Sequence, residues 1–474
     1  MKDYIVPVII DGLDVVDSPE TVFGLNAPID GSPTWSAQGA TSDHCALAAE
    51  SSMRAFRTWK STTPSERMRL FQKLGETISQ NAPAFQTVIQ EELLCPDAVA
   101  EAHIGDCLDL VEKLACLLGS GVLDPIQPEV RNPDAQAIVY KQPLGVILGI
   151  APWNAPSILG LRAVAAPVAA GNCAILKGSE LSPRTHCFVA NLFRLAGFPP
   201  GVVNFLVHRP SDASAIYETL ISRPEIRKCN FTGSTAVGRH IAMRAADHLK
   251  PVLLELGGKN FALVLDDADL DKAATMVLMG AMLNTGQICM STDIVLVPSK
   301  LQEQFYLHLE RKLDSLSSAL VRRHVHPQAN KRITSLLQDA QSKGATIVKA
   351  ADDGNPGFEV GRIIKGLSKD MAFWEEESFG PIVGVASYDN VDEAIGWINE
   401  CKYGLSSAIF TTSHHATLKV AQKLEVGAVH VNSMTVHDEA SLPHGGYKNS
   451  GWGRFGGHWA LEEFVQTQTL ILNP

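Results

Sequence analysis

Between Gly145 and Ala245 the chain alternates short apolar runs with segments of helical spacing, and no other feature restricts its fold as strongly. Gly145–Ile150, Ala174–Leu176, Val202–Phe205 and Ile226–Phe231 read as strands, and Ser157–Ala170, Thr185–Ala196, Ser211–Ile221 and Ser234–Ala245 as the helices that follow them. Runs this apolar have no solvent-facing side, so the alternation predicts a parallel sheet covered by helices on both faces. Ligands of such sheets sit at the carboxyl ends of the strands. The loops after the strands are therefore where function is to be sought.

Three of these loops carry polar residues suited to a ligand. The first is Pro152-Trp153-Asn154-Ala155-Pro156, the second Lys177-Gly178-Ser179-Glu180, and the third Thr232-Gly233-Ser234-Thr235-Ala236-Val237-Gly238. The third has G-x-x-x-x-G spacing, but Arg239-His240 stands where a Walker A needs Lys-Ser/Thr, and it is not G-x-G-x-x-G either. It is either a plain tight turn or a helix N-terminus whose N–H groups suit a pyrophosphate. Lys177 and Glu180 offer a donor and an acceptor for ribose hydroxyls, with a surface ion pair as the alternative.

Two further residues look placed for chemistry. Glu255 ends the apolar run Val252–Leu254 and precedes Gly257-Gly258-Lys259-Asn260. A carboxylate there is costly unless paired, as with Lys259, or used; desolvation would tune it toward a general base. Cys289 lies in Asn284-Thr-Gly-Gln-Ile-Cys-Met-Ser291, with Gly286 allowing close backbone approach. Most of the other eight cysteines read as inert core.

Composition narrows the function classes. A net charge of −11 argues against general attraction to nucleic acid or anionic membrane. Nine cysteines without C-x-x-C, and fifteen histidines without H-E-x-x-H, predict neither a disulfide framework nor a metal site. His414–His415 and His324/His326 read as solvated. The apolar Ile5–Ile10 is too short for a secretory signal, and no apolar stretch of about 18 residues is present, so a cytoplasmic protein is expected. Elsewhere, Pro28–Thr41 reads as a connection, Ala46–Gln80 as helical with a new start at Pro64, and Ala82–Leu118 as continuing helix. Gly119–Pro133 breaks the pattern before a strand-like Ala137–Tyr140. Ser299–Leu316 reads as an amphipathic helix, opened by a Ser299/Gln302 capping box and burying Phe305, Leu309, Leu313 and Leu316.

Taken in order, Pro152–Pro156, Lys177–Glu180, Phe231–Gly238, Glu255–Asn260, Gly286–Cys289, Glu377-Ser378-Phe379-Gly380-Pro381 and His444–Gly451 resemble the motif series of the NAD(P)-dependent aldehyde dehydrogenase superfamily. The resemblance runs from about Ile5 to the C-terminus. It implies an α/β fold with two doubly wound parallel-sheet domains and a small β oligomerisation arm. The implied parts are a cofactor domain in segments 1–118 and 143–255, a catalytic domain at 256–441, and oligomerisation elements at 119–142 and within 442–474. The alternating Val465–Leu472 suits a strand added to a neighbour's sheet edge, in a homodimer or homotetramer.

The resemblance also implies roles. Cys289 is the nucleophile, Glu255 the base for hydrolysis, and Asn154 the oxyanion donor together with the Cys289 N–H. Lys177, Glu180 and Ser234 match positions for the adenosine half of NAD, with NADP as the alternative, and Gly233 and Gly238 are cofactor-binding residues of the same turn. Trp153, Leu256, Glu377 and Phe379 match other cofactor contacts, the last two at the nicotinamide ribose and ring. A coenzyme A-acylating enzyme would not need Glu255, and a scaffold without catalysis would not keep Cys289, Asn154 and Glu255 together. Pro152–Arg162, Val436–Glu439 and Gly453–Gly457 are similar to the benzaldehyde, salicylaldehyde and vanillin dehydrogenase branch. That likeness implies an aromatic aldehyde held by Arg162, Leu159 and Met290, unless Arg162 serves a salt bridge to another domain. Three features depart from the family: Gly178 stands where Pro is common, His444 where Phe is common, and Ser317–Gln328 is short. Packing is the expected role of His444.

Overall fold

The four predicted strands form the middle of a sheet in the computed structural model, which describes residues 4–26, 33–326, 328–352 and 358–474. Two compact units are present, one of Met1–Leu254, Glu439–Pro443 and Gly453–Pro474, the other of Glu255–Asp438 and His444–Trp452.

In the first unit Ile226–Thr232, Val146–Ile150, Cys173–Lys177 and Val203–Leu206 lie side by side and parallel. Val252–Glu255 adjoins Ile226–Thr232. At the other edge the N-terminal run contributes Val8–Ile10 and Leu13–Val15, both antiparallel, with Ile9 opposite Phe205. Helices Pro156–Ala169, Pro183–Leu195, Ala213–Ser222 and Thr235–Asp247 follow successive strands, within about two residues of their predicted ends. Buried Asn172 ties in the C-terminal return: its Oδ1 accepts from Gly145 N at 2.9 Å, and its Nδ2 donates to Phe464 O at 2.8 Å.

Three readings of local structure are corrected here. Ala82–Leu118 is two helices, Ala82–Leu93 and Asp97–Leu118, because Leu94 turns left-handed (φ 53°) before Cys95-Pro96. Part of the connection Pro28–Thr41 is a strand, Pro33–Ala37, paired with Phe23–Asn26; residues 28–32 lie outside the described residues. The capping box at Ser299 does not form. Ser299–Leu301 is a 3₁₀ turn, the α-helix begins at Gln302, and Ser299 Oγ donates to Tyr388 O at 3.2 Å. The predicted face is nonetheless core, with Phe305, Leu309 and Leu313 buried and Leu316 packed on them.

The second unit is a second parallel sheet. Its order is Thr346–Lys349, Arg362–Lys365, Ile382–Tyr388, Thr292–Pro298, Asn260–Val264, Ser406–Phe410 and Ala428–Val431, with only Thr346–Lys349 antiparallel. Successive side chains of Asn260–Val264 enter opposite cores, Phe261 and Leu263 one, Ala262 and Val264 the other. The helix Gln302–Leu320 takes up the first four residues of the short segment Ser317–Gln328, of which Pro327 lies outside the described residues.

A two-stranded arm in the first unit pairs Gln136–Pro143 antiparallel with Val465–Leu472, and Leu470, Ile471 and Leu472 are exposed on it. Among the described residues no helix is long and apolar enough to cross a membrane.

Candidate active site

The loop around Cys289 is held in a conformation that most sequences avoid. Asn284, Thr285 and Gly286 are consecutively left-handed (φ 49°, 59° and 71°). Side-chain bonds offset that strain. Thr285 Oγ1 accepts from Arg322 N at 2.9 Å, Gln287 Oε1 from Val325 N at 3.0 Å, and Gln287 Nε2 donates to Asn284 O at 3.1 Å. A Cβ at Gly286 would run into Gly380 O, so close backbone approach does require glycine there. Beyond the cysteine, Thr435 Oγ1 donates to Met290 O at 2.6 Å, and Asn260 Nδ2 donates to both Cys289 O and Ser291 O at 2.9 Å. The nucleophile candidate therefore sits on a braced backbone.

Glu255 is 1% exposed and belongs to the same cluster as Cys289 and His444: one ligand-type atom from each residue lies within 4.8 Å of the others. Burial first, and then the neighbouring Glu255 charge, hold the Cys289 thiol well above its ordinary pKa. At neutral pH Cys289 is therefore a thiol, with Glu255 beside it. The alternative pairing of Glu255 with Lys259 is not what forms. Lys259 bonds Asp293 at 3.1 Å and Glu376 O at 2.8 Å, and its ammonium lies 3.7 Å from the centre of the Phe373 ring.

Asp293 also accepts from Ser378 Oγ at 2.8 Å, so the buried pair positions the Glu377 segment. Glu377 Oε1 accepts from Gly258 N at 3.3 Å, and a Cβ at Gly257 would lie 2.5 Å from Glu377 Oε2. Desolvation, with Asp293 nearby, pushes the Glu377 carboxyl up to about 7. Phe379 follows in a left-handed conformation (φ 48°). Leu256 is buried, with its N–H donating to Ser450 O at 3.0 Å. Met290 packs with Leu405 and Val436, and Cys289 lies against this apolar group.

In the first unit the remaining predicted residues lie at the carboxyl ends of the parallel strands. Buried Asn154 and half-buried Trp153 follow Val146–Ile150, Lys177 ends Cys173–Lys177, and Gly233-Ser234 follow Ile226–Thr232. The G-x-x-x-x-G turn does open a helix: Ser234 is the N-cap of Thr235–Asp247, and Gly238 N donates to Ser234 O at 2.9 Å. Gly233 has the Phe231 ring 2.5 Å from where a Cβ would stand. Burial lowers the Lys177 pKa, against the opposing pull of Glu180. Arg162 is buried on the helix that follows Asn154, and its guanidinium lies 5.6 Å from the centre of the Phe455 ring. Leu159, one turn earlier, is half-buried.

Other polar residues escaped the sequence reading. His186 Nδ1 accepts from Ser179 N at 3.2 Å, and burial pushes its pKa down to about 3, so the ring is neutral. It explains the departure at Gly178, where a Cβ would stand 2.9 Å from both His186 and Phe205. His103 bonds Ser157 Oγ at 3.1 Å, at the start of the Asn154 helix. His324 is not solvated: both ring nitrogens are out of water and burial lowers its pKa to about 4, whereas His414 and His415 are exposed. His444 does more than pack. Its Nε2 lies 3.6 Å from Glu255 Oε1 and its Nδ1 3.7 Å from Asp438 Oδ1.

Residues 15–470 match the model of the aldehyde dehydrogenase family. The chain belongs to that family and is an enzyme, an oxidoreductase that acts on aldehydes with a nicotinamide cofactor. It is 36% identical over 465 residues to a salicylaldehyde dehydrogenase of Pseudomonas putida, with 96% of each chain covered. To a vanillin dehydrogenase of Pseudomonas sp. (strain HR199 / DSM 7063) it is 37% identical over 475 residues, covering 98% of each. Among solved structures, a salicylaldehyde dehydrogenase from Pseudomonas putida G7 complexed with salicylaldehyde matches with a TM-score of 0.95 at 35% identity, over 99% of this chain and 98% of that one. A betaine aldehyde dehydrogenase from Staphylococcus aureus in complex with NAD+ matches with a TM-score of 0.92 at 26% identity, over 98% and 94%.

Proposed function

We propose that this enzyme oxidises an aromatic aldehyde, a benzaldehyde with a ring hydroxyl such as salicylaldehyde or vanillin, to the carboxylic acid, with NAD preferred over NADP. The observation that carries the substrate reading is Arg162, a buried guanidinium beside the Phe455 ring on the helix that starts after Asn154. Its setting suits a phenolic oxygen, and the apolar group around Met290 suits a flat ring.

In this reading Cys289 gives its proton to Glu255 and attacks the aldehyde carbon. The Asn154 amide and the Cys289 N–H stabilise the oxyanion, an interaction of about 10²–10³ in rate per donor. When bound, the nicotinamide cofactor supplies the hydride acceptor. Cys289 then carries the acyl group as a thioester, and Glu255, after passing the first proton to solvent, takes a proton from the water that releases the acid. The turn Gly233–Gly238 and its helix N-terminus hold the pyrophosphate. Lys177 and Glu180 read the adenosine ribose, Glu377 and Phe379 the nicotinamide side, and Trp153 and Leu256 contact the cofactor between them. The exposed apolar strand Val465–Leu472 favours a homodimer or homotetramer, and nine unpaired cysteines favour a cytoplasmic protein.

An aldehyde panel read by NADH absorbance tests the reaction and the substrate class together. Salicylaldehyde, vanillin and benzaldehyde are expected to be turned over without added coenzyme A. A requirement for coenzyme A would make the product a thioester, and better turnover of short aliphatic aldehydes would overturn the aromatic reading.

A further inference from the structure

We propose that Glu255, Cys289 and His444 form a latent three-ligand site for a borderline-soft divalent cation, Zn²⁺, whose occupation silences the enzyme. The silencing rests on the reading of Cys289 as nucleophile; the binding does not.

The three residues offer a thiolate, an imidazole and a carboxylate, all of which zinc accepts. One donor atom from each lies within 4.8 Å of the other two. Bonds of about 2.0–2.3 Å in a tetrahedral arrangement place ligand atoms about 3.3–3.8 Å apart. The proposed site closes this difference by side-chain rotation of Glu255, Cys289 and His444, on a backbone held at the Cys289 carbonyl by Asn260.

An independent feature points to a missing ligand. Glu255 Oε1 is out of solvent, has no hydrogen-bond partner, and lies 3.6 Å from His444 Nε2. A buried carboxylate oxygen left in this state is costly, and a cation between it and the imidazole removes the cost. On the far side of the ring, Nδ1 lies 3.7 Å from Asp438 Oδ1, so a carboxylate is placed to orient the histidine as in carboxylate–histidine–zinc arrangements. Cys289 and His444 are partly buried, the His444 side chain being 10% exposed, and the proposed site takes water as its fourth ligand.

Binding replaces the Cys289 S–H bond with a metal–sulfur bond and releases one proton to solvent. The sulfur lone pair is then committed and Glu255 no longer accepts a proton, so neither acylation nor hydrolysis proceeds. Mg²⁺ and Ca²⁺, which demand oxygen ligands, should not bind. His444 is the residue that separates this site from any reactive thiol beside a carboxylate.

The test uses EDTA-treated, cofactor-free enzyme. Zn²⁺ is titrated in competition with a chromogenic chelator, and alkylation of Cys289 by iodoacetamide is followed by peptide mapping. One Zn²⁺ per chain is expected, with Cys289 alkylation slowed about tenfold or more at saturation, EDTA restoring the rate and Mg²⁺ having no effect. His444→Phe and His444→Gln should weaken binding about tenfold or more, Asp438→Asn should weaken it less, and Cys289→Ala should remove it. Inhibition of turnover in wild type and in the His444 and Asp438 variants, normalised to each one's own activity, should follow the same order. Equal affinity in whichever His444 variant folds, or Cys289 alkylation unchanged at one Zn²⁺ per chain, would overturn the site. Binding and alkylation are read without aldehyde, so an enzyme inactive on every aldehyde would sink the proposed function and leave the site standing.

Discussion

Asn260 holds Cys289 through its main chain: Asn260 Nδ2 donates to Cys289 O and to Ser291 O at 2.9 Å each, while its Oδ1 accepts from Ser406 N at 3.1 Å. Asn260→Ala leaves two carbonyls and one N–H without partners in a buried setting. A loss of about 2–4 kcal/mol in urea unfolding is expected, since each unmet buried group costs roughly 1–3 kcal/mol and some relaxation follows. Turnover should fall about tenfold or more, because misplacing a nucleophile by one ångström is enough to cost that much. A stability change under about 0.5 kcal/mol would show that the carbonyls find water instead.

Burial first, and then the Glu255 charge, raise the Cys289 pKa. Glu255→Gln removes that charge, so the pH profile of Cys289 alkylation should move to lower pH, and at a fixed mildly alkaline pH the variant's thiol should react faster. Its catalysis should show the opposite sign. A burst of NADH followed by slow turnover is expected, because deacylation loses its base. Cys289→Ala should abolish turnover and keep cofactor binding. An unshifted alkylation profile in Glu255→Gln would mean that burial alone sets the thiol.

The features legible in the sequence are those set by neighbours a few residues apart. Parallel strands such as Cys173–Lys177 are apolar throughout, and the helices between them have glycine or proline boundaries, so the first sheet and the loops bearing Asn154, Lys177 and Ser234 could be placed, whereas the second sheet was implied only by the family resemblance. The break at Leu94 was hidden because apolar spacing continues across it. The Ser299/Gln302 box does not form because Ser299–Leu301 is a 3₁₀ turn, in which Ser299 Oγ donates to the distant Tyr388 O and does not accept a local N–H. His186, Asn260 and the Lys259–Asp293 pair were invisible for a related reason. Their partners lie up to 146 positions away, as with Ser406 and Asn260, and nothing local reports such a bond. His444 showed itself only as a departure from the family; its two carboxylate neighbours are tertiary facts.

The arm carries its own prediction. An isolated two-stranded ladder is marginal in water, yet Val465–Leu472 pairs with Gln136–Pro143 along eight positions with Ile471 55% exposed. A partner subunit covering it would account for both. The wild-type protein should run as a dimer or tetramer in light scattering, and Ile471→Asp or deletion of 465–474 should reduce its mass. A monomeric wild type would remove the arm's assigned role.

In the proposed function cofactor choice follows from Glu180. It lies on the same loop as buried Lys177, and if it accepts from the ribose hydroxyls it repels a 2′-phosphate. NAD should be preferred in kcat/KM, and Glu180→Gln should raise the NADP-to-NAD ratio about tenfold, the worth of roughly 1.4 kcal/mol. Lys177 acts in the other direction, so Lys177→Met should lower that ratio. A wild-type ratio favouring NADP would overturn the assignment of Glu180.

In the proposed function substrate identity turns on Arg162. A buried guanidinium on an otherwise apolar helix is costly, and the Phe455 ring 5.6 Å away offsets part of that cost through its π face. A ring hydroxyl, ortho to the aldehyde in salicylaldehyde and para in vanillin, would supply a further acceptor, and a charge-assisted bond of this kind contributes about 1.5–3 kcal/mol. Arg162→Leu should therefore lower kcat/KM for salicylaldehyde about tenfold to a hundredfold, and for benzaldehyde, which lacks the hydroxyl, much less. Arg162→Lys keeps the charge but not the planar fork, and should fall between the two. Because the substitution also removes a partner of Phe455, the salicylaldehyde-to-benzaldehyde ratio is the informative quantity, since a purely structural loss lowers both substrates alike. An unchanged ratio in Arg162→Leu would rule out recognition of the hydroxyl by this residue.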